Sequence, residues 1–268
     1  MVGSCEATSR DRGMRMAKLL ILGGTTEATA LASALAADTR FETLLSFAGA
    51  TRTPRPPKVP YRVGGFGGVA GLAGFLRDGG FDLLIDATHP FAARMKPNAV
   101  AAAEQANVGF LAIQRPAWQA GPGDVWTPVA DMAAAARALG DRPRRVLLTI
   151  GQKELAAFRA APWHSFVVRS VDPPDVDNRP PDAVVISARG PFVLEDEMAL
   201  LREHRIEVLV TKNAGGRATE AKLAAARMLG VDVVMVERPA VPTGVAVAED
   251  IEGALSWLAV HAGTERGV

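Results

Sequence analysis

Apolar residues fall along this chain in short, regularly spaced runs. The first is Leu19-Leu20-Ile21-Leu22, stopped by Gly23 and Gly24. A run of that length bounded by glycine reads as a buried strand, and the alanine- and leucine-rich stretch 28–37 behind it reads as a helix. The alternation then repeats. Strands are predicted over 43–48, 81–85 and 110–113, and helices over 69–78, 98–106 and 131–139. A second series follows, with strands over 145–150, 166–169, 184–186, 207–210 and 233–236. Its helices open at 151 and span 194–204 and 220–229, and a last helix covers 250–260. Such alternation predicts an α/β fold built on parallel sheets.

The charged, helix-breaking run Asp141-Arg142-Pro143-Arg144-Arg145 separates the two series. The expected division is therefore a nucleotide-binding domain over 16–141 and a second α/β domain, on the substrate side, over 142–241. Residues 242–268 make a C-terminal helix and tail that can pack on either domain. Residues 1–15 carry charges and no apolar core, so they read as a disordered extension, or as a start site upstream of Met14 or Met16, and not as a secretion signal. The architecture expected is two Rossmann-like parallel-sheet domains with a cleft between them.

Composition narrows the function classes. Of 268 residues, 49% are hydrophobic, ample for a packed core, and the formal net charge of +1 gives no basic excess for nucleic acid. No apolar run reaches membrane-spanning length. Cys5 is the only cysteine, which excludes an internal disulfide and a cysteine-rich metal site. No metal is indicated, and a soluble cytoplasmic protein is expected.

The candidate chemistry lies at strand ends. Gly23-Gly24-Thr25-Thr26 sits in a strand-to-helix turn, where backbone N–H groups and the helix dipole favour an anion. Thr25 and Thr26 add hydroxyls, although Glu27 competes for the same dipole, and the spacing is not Gly-x-Gly-x-x-Gly. The second strand ends near Ser46, where an NAD-binding unit carries an acid. An uncharged strand end followed by Arg52 suits the 2′-phosphate of NADP, and equally suits a solvated basic loop. Gly65-Phe66-Gly67-Gly68-Val69-Ala70 matches Gly-x-Gly-x-x-Ala after a short, proline-interrupted strand. It is either a flexible surface for close ligand approach or a turn that needs positive φ. The third strong strand runs into Asp86-Ala87-Thr88-His89-Pro90, at the edge where parallel sheets hold ligands. His89 is there a site histidine or a structural one. In the second series Lys153, Arg169, Arg189 and Lys212 follow strands. Singly each reads as a solvated charge; together they suggest an anionic substrate.

Gly23–Ala28, Ser46–Gly49, Arg62–Gly68 and Asp86–Ala92 resemble the precorrin-6A reductases of cobalamin biosynthesis. Arg115-Pro116-Ala117-Trp118, Ser187–Phe192 and Thr211–Gly216 continue the resemblance in order, so that it covers about 18–258. Where that family often reads Ala-Gly-Arg-Thr, this chain reads Ala48-Gly49-Ala50-Thr51-Arg52. The resemblance implies an NADPH-dependent oxidoreductase that converts precorrin-6A, a polyanionic tetrapyrrole, to precorrin-6B. It implies cofactor contacts from Gly24, Thr25, Thr26, Ser46, Arg52, Gly65, Phe66, Gly67, Gly68, Thr88, His89 and Pro90. Substrate contacts are expected from Lys153, Arg189, Lys212, Asn213 and Gly215, and a proton from His89, Lys212 or water. Contacts with neighbouring pathway enzymes would be transient. The competing readings are another nucleotide-dependent α/β enzyme, or a non-catalytic NADPH-binding sensor. The Tyr-x-x-x-Lys pair of short-chain dehydrogenases is absent, since the only tyrosine, Tyr61, is followed four places on by Gly65.

Overall fold

The computed structural model describes residues 15–48, 56–240 and 242–261. The first sheet is built from β1 (Ala17–Leu22), β2 (Phe41–Phe47), β3 (Tyr61–Val63), β4 (Leu83–Asp86) and β5 (Gly109–Ile113). Helices α1 (Thr26–Leu35), α2 (Gly68–Asp78) and α3 (Met95–Ala106) connect them. Along β1, Leu19 and Ile21 pack with α1 on one face, while Leu20 and Leu22 pack with α2 and α3 on the other. That is the period-2 alternation of a strand covered on both sides, and it explains the uninterrupted apolar run.

The second sheet contains β6 (Trp126–Val129), β7 (Arg145–Thr149), β8 (Ser165–Ser170), β9 (Val184–Ser187), β10 (Val208–Lys212) and β11 (Asp232–Val236). Its helices are α4 (Met132–Ala138), α5 (Leu194–Glu203) and α6 (Ala221–Leu229). The helix expected to open at 151 is a 3₁₀ segment, Gln152–Ala160. The last elements are β12 (Ala246–Ala248) and α7 (Ile251–His261).

Every strand pairing is parallel. The strand orders are β12-β5-β4-β1-β2-β3 and β6-β11-β10-β7-β8-β9. Each is the doubly wound 3-2-1-4-5-6 order, with the sixth strand exchanged. β6 follows β5 in sequence but pairs with β11, and β12 follows β11 but pairs with β5. The chain therefore leaves the first sheet between β5 and β6, ahead of the expected boundary at 141. β6 and α4 sit with the second sheet. The C-terminal segment returns to the first: Ala248, Ala254 and Leu258 complete its core.

Among the described residues no helix is long and apolar enough to cross a membrane.

Candidate functional site

Both sheets present their carboxyl-end loops, and the first of these is the Gly23–Thr26 turn. Thr25 caps α1: its Oγ1 accepts from the Ala28 N–H at 3.1 Å and donates to the Ala87 carbonyl at 2.7 Å. Thr26 Oγ1 donates to Glu27 at 3.0 Å. Both hydroxyl protons expected for a phosphate are thus spent inside the protein. Gly24 has φ +124° and open space around its Cβ direction, so the backbone of the turn stays approachable. Glu27 is held by Arg115 Nη1 at 2.6 Å. Burial would raise its pKa, but the Arg115 charge and hydrogen bond outweigh burial and bring it below the usual value.

Beside this turn lies a small open cavity of about 70 Å³. Ser46, Gly65, Phe66, Gly68, Thr88 and Asn98 are among its walls. The two glycine loops, weak as separate motifs, therefore flank one space. Gly67 and Gly68 have φ +81° and +87°, which favour glycine, and neither has an atom within 4 Å of its Cβ direction. Arg62 organises this wall. Its guanidinium donates to Ser46 Oγ at 2.9 Å and to the carbonyls of Gly64 at 3.0 Å and Gly65 at 3.1 Å, and it lies 4.2 Å over the Phe66 ring. Behind the cavity residue Thr88, buried Asp86 accepts from the Thr88 N–H at 3.0 Å and the Thr88 hydroxyl at 2.6 Å. Lys96, only 3% exposed, is 3.5 Å from the other carboxylate oxygen. A buried pair of this kind costs desolvation; here it fixes the orientation of Thr88. Arg52 lies outside the described residues.

His89 and buried Pro90 continue the same loop towards the second sheet. His89 Nδ1 accepts from the Phe91 N–H at 3.2 Å, which places the imidazole proton on Nε2. Burial, then the charges of Lys212, Arg115 and Lys96, push its pKa down to about 3. At neutral pH it is an uncharged ring that carries its one proton on Nε2. Phe91 reaches across and packs against the hydrophobic clusters of the second domain. Lys212 Nζ, at the end of β10, lies 5.0 Å from the Phe91 ring centroid. Its ion pair with Glu154 runs at 2.9 and 3.2 Å. Glu154 also accepts from the Gly151 N–H at 2.8 Å.

Other second-domain candidates fall into different places. Lys153 and Arg189 are exposed. Arg189 follows β9, three strands from β10, which carries Lys212; at ~4.8 Å per strand the two strands stand roughly 14 Å apart. Asn213 is 4% exposed. Its Oδ1 accepts from the Trp118 N–H at 2.9 Å, and its Nδ2 donates to the Trp118 carbonyl at 3.2 Å and Glu237 at 3.4 Å. Its amide ties β10 to the chain after β5, which corrects the expectation of a substrate ligand. Gly215 is corrected likewise. A Cβ there would stand 2.0 Å from the Pro116 carbonyl oxygen, so this glycine admits the same linker. Arg169 does not line the cleft; it is buried against Glu197 and lies 4.0 Å over the Phe192 ring.

The chain's relatives were identified by comparison with known proteins. A profile of the family described as "Precorrin-6x reductase CbiJ/CobK" matches residues 18–259. The chain belongs to this family. It is 51% identical over 262 residues to a precorrin-6A reductase of Sinorhizobium sp., spanning 97% of this chain and 99% of that one. It is 50% identical over 253 residues to a precorrin-6A reductase of Rhodobacter capsulatus, spanning 94% and 100%. The solved structure described as "CobK precorrin-6A reductase" superposes with a TM-score of 0.88 at 50% identity, covering 94% of this chain and 100% of that one.

Four residues of this candidate site were not singled out by sequence reasoning: Arg62, Asn98, Arg115 and Glu154. Arg62 opens the glycine run and Arg115 opens an Arg-Pro-Ala-Trp stretch, but nothing in either position announces a partner 16 or 88 residues away. Asn98 lies in an alanine-rich helix, and only the tertiary contact between α3 and the cavity singles it out.

Proposed function

We propose that this protein reduces precorrin-6A to precorrin-6B with NADPH. The carrying observation is the glycine-walled cavity at the edge of the first sheet, adjoining a seam where Lys212, Arg115 and Lys96 all act on His89. The residues fit a nicotinamide dinucleotide phosphate. The end of β2 carries neutral Ser46 with an arginine beside it in place of the acid that selects NAD. The approachable turn at Gly24 precedes α1, and Ser46, Thr88 and Asn98 are the polar side chains among the cavity's lining residues. When bound, the cofactor supplies a hydride; the protein supplies position and field.

In this reading Gly24 and the start of α1 take the pyrophosphate, and Ser46 with Arg62 and Arg52 takes the phosphorylated ribose. Gly65–Gly68 lie along the cofactor. Thr88, locked by Asp86, offers lone pairs only. Neutral His89 donates from Nε2 and excludes a second positive charge from the seam. Lys212 and Arg189 hold carboxylates of the macrocycle, Lys153 adds charge at the rim, and water delivers the proton that completes the reduction.

The test is anaerobic incubation of the protein with NADPH and precorrin-6A, following absorbance at the nicotinamide band and product mass. One NADPH consumed per product two mass units heavier is expected. Binding of NADPH with no oxidation on adding precorrin-6A would make the protein a sensor and overturn the proposal.

A further inference from the structure

Lys222 is a buried lysine that the reduction described above does not use. It stands in the first turn of α6 and is 4% exposed. Burial, the positive end of the helix dipole and buried Arg169 all disfavour a charge there. Its Nζ donates to the Thr219 carbonyl at 2.5 Å and lies 4.6 Å from the Trp118 ring centroid. One acceptor and a ring face satisfy an amine better than an ammonium, which has three protons to place. A second acceptor stands in the same cluster. Buried Glu197 of α5 gives one carboxylate oxygen to Arg169 of β8, and the other, Oε2, has no hydrogen-bond partner among the described residues. The Glu197 charge acts on Lys222.

The backbone that Lys222 holds belongs to the loop between the proposed substrate cations. Lys212 ends β10, and residues 213–219 follow it. The Ala214 carbonyl accepts from Arg115 Nε at 2.8 Å. The Ala218 carbonyl accepts at 3.2 Å from the N–H of Phe192, three residues on from Arg189. The Thr219 carbonyl, at the end of the loop, is held by Lys222. We propose that Lys222 is a positioning residue with two alternative partners. Uncharged, it holds the Thr219 carbonyl and fixes the loop; protonated, it turns to the free oxygen of Glu197 and releases the loop. The inference rests on the reading of Lys212 and Arg189 as substrate contacts. Four charged groups act on Lys222. Arg169 of β8 and Arg115 after β5 oppose its proton, while Glu197 of α5 and Glu220 before α6 favour it. Burial first, and then Arg169, push its pKa down to about 7, so the exchange of partners falls near neutral pH.

The experiment follows the full chain, labelled with ¹³C-lysine and ¹⁵N, by nuclear magnetic resonance from pH 8 to pH 6. The Lys222 Cε signal is the one missing from Lys222→Met. It is expected to titrate with a midpoint of about 7, and the Ala218 and Thr219 amide signals are expected to move with it. The KM for precorrin-6A is read over the same range. The fraction of molecules with the loop fixed falls from about nine-tenths to about one-tenth, so KM should rise about tenfold while the Kd for NADPH stays level. In Lys222→Met, KM should be high and level across the range. Glu197→Gln is the second variant. It removes the alternative partner, so the Lys222 midpoint should fall and the two amide signals should stay at their pH 8 positions. A Cε signal that titrates near the ordinary lysine value of about 10.4 would overturn the proposal. Amide signals that do not follow Lys222 would overturn it too. A level KM while those signals move would remove the loop from substrate positioning. Absence of NADPH oxidation at every pH would instead overturn the reductase reading, and the lysine and amide signals alone would then decide the exchange of partners.

Discussion

Gly65 and His89 show what single residues contribute. Gly65 lines the cavity, its Cβ direction is empty, and its φ lies outside the left-handed region. A methyl group there costs the free protein little, unlike one at Gly67, where φ is +81°. Gly65→Ala therefore separates ligand approach from backbone strain. Its melting temperature should stay within the shift of an ordinary surface change, about 0.5 kcal/mol. Its Kd for NADPH should rise about tenfold, 1.4 kcal/mol. An unchanged Kd would show that the loop does not lie along the cofactor. His89 bears on pH. Burial and then the neighbouring cations lower its folded pKa from 6.5 to about 3. Between those values the unfolded chain binds a proton that the folded chain does not. Stability is therefore present above about 6.5 and is lost as pH falls towards 3. His89→Gln should flatten that part of the profile, read as a smaller drop in melting temperature from about pH 7 to 4.5. An identical drop would mean that His89 is charged in the fold.

At the scale of elements, packing on two faces governs what can be recognised. β1, β4, β7 and β10 are nearly continuous apolar runs because helices cover both sides. β3, β6 and β12 are edge strands of three or four residues with exposed side chains, and β6 contains Pro128, which an edge tolerates. Nothing periodic marks them, so their membership comes from pairing alone. The linker between β5 and β6 is secured by backbone approach: Asn213 clamps Trp118, and Gly215 lies against Pro116. Gly215→Ala meets both a contact at 2.0 Å and φ +66°. It should destabilise the protein by about 2–3 kcal/mol, measured by urea unfolding. A cost below 0.5 kcal/mol would show that the linker moves aside freely.

The whole molecule is two doubly wound sheets laced together. The chain crosses between them after β5 and again after β11, and Arg115 bonds both Glu27 of α1 and the Ala214 carbonyl of the second domain. The seam so formed carries the proposed substrate contacts, and Lys212 tests it. Removing its ammonium leaves Glu154 partly exposed and still bonded to the Gly151 N–H, so the fold has a route to survive. Lys212→Ala should cost about 1.5–3 kcal/mol of substrate binding. That appears as a KM for precorrin-6A roughly ten- to a hundredfold higher, with NADPH affinity unchanged. A loss confined to kcat would assign Lys212 to proton delivery, and normal kinetics would remove it from the site.

By itself the sequence determined the α/β class, the parallel sheets, the glycine turns at strand ends and the family. Those properties are carried by local patterns: an apolar run long enough to be covered on both faces, a glycine where a strand must stop, and motifs kept in order. It placed Ser46, Gly65, Phe66, Gly68 and Thr88 at strand ends, and the fold brings them to one cavity. Tertiary structure alone decided which sheet receives β6 and β12, because edge pairing is made between backbones and leaves little trace in side chains. It also decided that Asn213 and Gly215 hold a linker, that Arg169 is buried against Glu197, and that His89 is neutral. A polar residue's role depends on which partners reach it first, and those partners stand up to 123 residues away in the chain.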